Sequence, residues 1–85
     1  MKITSVDVHK VETNDPRMKG FATVKIDDCF LIRDIRIREG KNGLFLAMPN
    51  RKTSSGKYVD SAHPINKETR QMFLDAVLEE YNKQD

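Results

Sequence analysis

The chain has 85 residues, of which 33% are charged and 38% apolar, and its formal net charge is +2. A chain of this length buries only roughly 60% of its unfolded surface, so it has room for one domain, residues 1–85, with a small core that oligomerisation would help to stabilise. One cysteine, Cys29, excludes an internal disulfide and a cysteine-based zinc site, and two histidines, His9 and His63, are too few for a metal cluster.

Taken in chain order, residues 2–11 place Val6 and Val8 two apart and predict a first strand, followed by a turn at "NDPR". Residues 21–26 alternate Ala22, Val24 and Ile26 against Phe21, Thr23 and Lys25, a second strand that Asp27-Asp28 turns as a two-residue hairpin. The third strand, residues 29–39, changes character along its length. "CFLI" is apolar on both faces and is expected to be buried, whereas "IRIR" alternates and is expected to be half-exposed. The Asn-Gly pair in "GKNG" then leads to a fourth strand over residues 44–48. After Pro49 the pattern predicts an irregular basic stretch, a turn at Ser55-Gly56 and a short strand over residues 57–60.

Asn66 is a predicted helix N-cap, with Glu68 where the helix dipole favours an anion. Phe73, Leu74, Val77, Leu78 and Tyr81 then form one apolar stripe, with Glu79, Glu80 and Lys83 off it. The fold class is therefore α+β: an antiparallel meander of four to five strands with a C-terminal amphipathic helix. One helix covers only part of such a sheet, so a homodimer is expected. No apolar run has signal-peptide character or reaches the roughly 20 residues that span a bilayer. A soluble, cytoplasmic protein with no membrane partner is expected.

Charge is unevenly divided. Residues 1–32 balance at five basic and five acidic side chains, whereas residues 33–57 carry seven basic against two acidic. A basic middle third points to a localised electrostatic footprint. Within it, Arg36 and Arg38 share one strand face, about 6.6 Å apart, close to the phosphate spacing of a nucleic-acid strand. Their ordinary alternative is a solvated face with cross-strand ion pairs. Arg51, Lys52 and Lys57 fall in a stretch whose hydroxyls at Thr53, Ser54 and Ser55 can add neutral phosphate contacts, against the alternative of ordinary loop polarity. Both sites together favour an anionic polymer as partner.

Asp60 and His63, in "DSAHPIN", have the chemistry of an acid-base pair but lack a marked nucleophile or further ligands, and the His-Pro pair fits the approach to a helix. Cys29 lies in an apolar run and reads as a small buried hydrophobe. No Gly-rich phosphate loop, nucleophile elbow or metal motif is present, so neither an enzyme, a cofactor nor a small-molecule substrate is expected. Of the six aromatics, Phe21, Phe30, Phe45, Phe73 and Tyr81 sit in strand or helix patterns that spell core. Only Tyr58, beside Lys57, fits the pattern of an exposed stacking ring, and simple packing is the favoured reading there too.

The stretches "DIRIREGKNGLFLAMPNRK" and "DSAHPIN", together with "MKITSVDVHKV" and "DAVLEEY", resemble the bacterial SpoVG family, stage V sporulation protein G. The resemblance runs over nearly the whole chain. It implies a small dimer whose sheets join across the subunits, and a nucleic-acid-binding regulator of DNA, and in some bacteria RNA, connected with septation, sporulation and gene expression. The family's basic pair after "AMP" falls here on Arg51 and Lys52. The rival reading is a protein-interaction module that meets cell-division or sporulation partners through the sheet edge or the acidic helix, without touching nucleic acid.

Overall fold

The computed structural model describes residues 1–83. Six strands precede one helix: β1 (Ile3–Lys10), β2 (Met18–Ile26), β3 (Phe30–Gly40), β4 (Gly43–Ala47), β5 (Asn50–Lys52), β6 (Tyr58–Asp60) and α1 (Lys67–Lys83). The first four form one antiparallel sheet in the order β1-β2-β3-β4, and β5 and β6 pair separately as a two-stranded ribbon. The α+β class and the meander are as the alternation predicted. The fifth and sixth strands stand apart from the sheet, and the basic stretch after Pro49 is β5 rather than irregular chain.

Strand β2 is the centre of the core. Gly20, Ala22, Val24 and Ile26 alternate inward, beginning before the predicted start at Phe21. Gly20 is required there because a Cβ would stand 2.6 Å from the His9 carbonyl oxygen on β1, a backbone atom that cannot step aside. Asp27 and Asp28 both take left-handed φ values, +51° and +56°, and the Cys29 amide donates to the Ile26 carbonyl at 3.0 Å. Those are the features of a type I′ turn, in which the twist of the turn matches that of the strands. The Lys2 amide donates to the Asp27 carboxylate at 3.0 Å, and the Asp28 amide to the Thr4 hydroxyl at 3.1 Å.

The first half of β3 departs from the expected burial, whereas the second half alternates as read. Phe30 and Leu31 are exposed and Ile32 half-buried, whereas Ile35 and Ile37 are wholly buried. Cys29 is exposed in the turn, not a buried hydrophobe. The reason is a bulge. Val24 pairs with Ile32 but Ala22 with Ile35, so Thr23 faces two residues, Arg33 and Asp34, and Asp34 takes a left-handed φ of +62°. The extra residue resets the phase, putting Ile35 and Ile37 on the inner face, while Leu31 before the bulge faces outward opposite Lys25 and Phe30 stands at the rim opposite Ile26.

Helix α1 closes the inner face. Its Asn66 side chain accepts from the Thr69 amide at 2.8 Å, as the N-cap reading requires. Phe73 and Val77 pack with Val8, Ala22, Val24, Ile26, Ile35, Ile37 and Met48, flanked by Leu44, Leu46 and Tyr81. Lys10 lies 4.4 Å above the Tyr81 ring, linking β1 to the last turns of the helix. The described residues contain no helix long and apolar enough to cross a membrane.

Because Ile35 is fully enclosed, Ile35→Ala is expected to cost about 2–5 kcal/mol, a large share of what so small a domain holds. Urea unfolding followed by circular dichroism should show a lower midpoint at unchanged slope. Gly20→Ala should lower the midpoint as well, since β1 must move off β2.

Candidate functional site

The inner face buries Ile35 and Ile37, so strand alternation turns Arg36 and Arg38 to the outer face, away from α1. The two arginines differ there. Arg36 is exposed between Phe21 of β2 and Ala47 of β4. Arg38 is half-buried, with its guanidinium 3.2 Å from the Asp15 carboxylate and 4.0 Å from the Met18 sulfur. The ordinary alternative of an ion pair therefore describes Arg38, and Arg36 is the more available cation of the two.

Asp15 is itself held in place. Its carboxylate accepts from the Arg17 amide at 3.0 Å, and that bond, the largest influence, holds its pKa below the ordinary aspartate range; desolvation opposes it and the Arg38 guanidinium adds to it. The Glu39 amide donates to the Arg17 carbonyl at 2.8 Å. The segment between β1 and β2 is thereby pinned to the end of β3.

Arg51 and Lys52 lie on β5, opposite Val59 and Tyr58 of β6 respectively. Neighbouring residues on a strand point to opposite faces, so the two cations leave the ribbon on different sides. One flat surface cannot meet both, although a partner that wraps the ribbon can. Lys52 shares its face with Tyr58, while Arg51 shares the other with Val59. All four side chains are exposed. Lys57 is exposed in the loop before β6. The Thr53 amide donates to the Lys57 carbonyl at 2.7 Å, and the Thr53 and Ser55 hydroxyls bond each other at 2.9 Å. Two of the three hydroxyls expected to meet phosphate are thus engaged inside the loop.

Asp60 ends β6, whereas the His63 ring, through Nδ1, donates to the Pro64 carbonyl at 2.9 Å; Arg70 donates to the same oxygen at 3.1 Å. The histidine and α1 are tied at one point, a role in the approach to the helix.

The aromatic reading needs correction. Phe73 is buried, but Phe21, Phe30, Phe45 and Tyr58 are 38%, 60%, 45% and 70% exposed. Phe21 and Phe45 stand on the outer face, paired in register with Arg36 and Arg38. The signal for Phe21 was present, since it is out of phase with Ala22, Val24 and Ile26. Phe45 lies inside "LFLA", where both phases are apolar, and only its register with Arg38 reveals its side.

Comparison with known proteins places these features in a wider set. A family model described as SpoVG matches residues 1–83. A protein of Caldicellulosiruptor bescii named "Putative septation protein SpoVG" is 53% identical over 81 residues, covering 95% of this chain and 91% of that protein. Its namesake in Caldanaerobacter subterraneus is 51% identical, with 98% and 90% covered. The one in Staphylococcus aureus is 45% identical, with 100% and 84% covered.

A carboxylate with a depressed folded pKa contributes stability above its unfolded pKa and loses it as pH falls through the lower, folded value. Asp15 should follow that sign. Its side-chain carbon in an NMR pH titration should show a midpoint below that of an unstructured aspartate. In Arg38→Ala the midpoint should rise only part of the way, because the Arg17 amide remains.

Proposed function

The chain belongs to the SpoVG family, and from that premise we propose that it is a homodimeric nucleic-acid-binding regulator acting in septation, sporulation or gene expression, without catalysis or cofactor. The observation that carries this reading is the exposure of Arg36, Arg51, Lys52 and Lys57 within one basic block of the chain. Cations free in solvent gain little from one another but displace counterions when they meet a polyphosphate. The ribbon supports it further, since a two-stranded β-ribbon with a cation on each face suits a partner with charge on two sides, such as the walls of a groove. DNA is the first expected partner and RNA the second.

Homodimerisation is supported by the sheet edges. Both β1 and β4 have one side with no strand beside it, among the described residues, and β4 is an apolar strand whose edge invites pairing. Two-fold symmetry would double the cation set and let two weak footprints act together. The same edges favour the second reading, a protein-interaction module for cell-division partners, in which Glu79, Glu80 and the edge strands would matter and the cations would not.

The test is fluorescence anisotropy with labelled duplex DNA, single-stranded DNA and RNA across a salt series. Replacing Arg51 and Lys52 by Ala should weaken binding and flatten the plot of log K against log salt by about 0.9 for each duplex phosphate that is no longer neutralised. Light scattering should show the variant at the size of the unaltered protein. Unchanged binding and slope would sink the cation reading, and loss of function on altering Glu79 and Glu80 alone would favour the protein-interaction reading.

A further inference from the structure

We propose that the outer face of the four-stranded sheet is a stacking surface for unpaired bases, with Phe21 and Phe45 as its two rings and Arg36 as the cation between them. The inference rests on the nucleic-acid reading above and deepens it to single-stranded DNA or RNA as the preferred class.

Three observations carry it. First, among the described residues α1 covers only the inner face, and on the outer one, where the segment between β1 and β2 reaches only Arg38, the two rings are 38% and 45% exposed. A ring left on an open face forgoes the burial that would stabilise it, and a small domain has little to spare. Second, the register sets aromatic and cationic groups in alternation: Phe21 opposite Arg36, and Arg38 opposite Phe45 one step along. A single strand offers each ring the π-face of a base and each free guanidinium a backbone phosphate. Third, the Phe45 ring lies over Gly40. A Cβ on that glycine would stand 3.1 Å from the ring's Cε1, so the missing side chain gives the ring room to lean onto the sheet.

Geometry selects unpaired bases over a duplex. Phe21 and Phe45 sit two strands apart and offset by two residues, a separation on the order of 12 Å. Stacked bases in a duplex are about 3.4 Å apart and closed to a rigid sheet face, whereas splayed bases of a single strand can span the two rings. Charge argues against a second copy of this chain as the occupant. Lys25, Arg36 and Arg38 on this face outweigh Asp7 and Asp15, so two copies docked through it would bring two positive faces together.

The experiment compares oligo(dT), oligo(U) and a duplex by anisotropy, using the unaltered protein, Phe21→Leu/Phe45→Leu and Phe21→Tyr/Phe45→Tyr. Unaltered protein should prefer the single strands. The leucine pair should lose roughly ten-fold or more per ring while keeping its salt slope, because no cation has gone, and the tyrosine pair should keep its affinity. The chain contains no tryptophan, so Phe45→Trp adds an independent optical reporter whose emission should be quenched by oligo(dT). Full affinity in a folded leucine variant, no quenching, or a preference for the duplex overturns the stacking surface while leaving the cation reading in place. No binding to any of the three probes overturns both. Loss of binding that tracks dissociation of an oligomer in light scattering assigns the face to self-association and overturns the proposal.

Discussion

One extra residue in β3 decides which way the middle of this protein faces. With Asp34 in a left-handed conformation and Thr23 opposed by two residues, the inward phase passes from Ile32 to Ile35 and Ile37, and the outward phase falls on Arg36 and Arg38. Without the bulge, an inward Ile32 would force residues 34, 36 and 38 inward as well, burying two guanidinium groups beneath α1 at a cost no small core could offset. The core and the charged face are therefore two outcomes of one backbone irregularity. Aspartate suits the position, being among the few side chains that accept this φ at modest cost.

The bulge also explains why the sequence was legible in some places and misleading in others. Alternation in residues 21–26, the Asp27-Asp28 turn, the cap at Asn66 and the inward Phe73, Val77 and Tyr81 are local signals, each decided by a few neighbouring residues, and each is found as read, although Met72 rather than Leu74 or Leu78 completes the stripe against the core. The run "CFLI" misleads because apolarity marks a strand without saying which part of it lies under the helix. Leu31, opposite Lys25, points to the outer face, and Phe30, opposite Ile26, stands at the rim of the inner one. Residues 18–20 escaped notice as strand because glycine has no strand propensity, yet the close approach of β1 makes Gly20 indispensable.

The candidate site was legible in its residue types more than in its geometry. All five cations could be picked from the charge distribution, but their orientation depends on pairing that no single segment encodes. Arg38 is drawn into contact with Asp15, 23 positions earlier, and Arg51 and Lys52 separate onto opposite sides of a ribbon that becomes visible only when β6 is set beside β5. The aromatic rings follow the same rule. A ring inside an apolar run reads as core until the partner strand places it, and here the partner strand places Phe45 beside a cation.

The order of elements along the chain has a bearing on how the protein comes to be made. Each hairpin of the meander joins neighbouring stretches and can close soon after both strands leave the ribosome, at the small loop entropy that local pairing carries. The inner face cannot close in that way. Val8 waits on Phe73 and Val77, near the other end of the chain, so the sheet passes through synthesis with one apolar face open to water. That interval is when an unpaired β4 edge and a bare inner face coexist, and it is the stage at which a nascent chain is most exposed to chaperones and to misassembly with its neighbours.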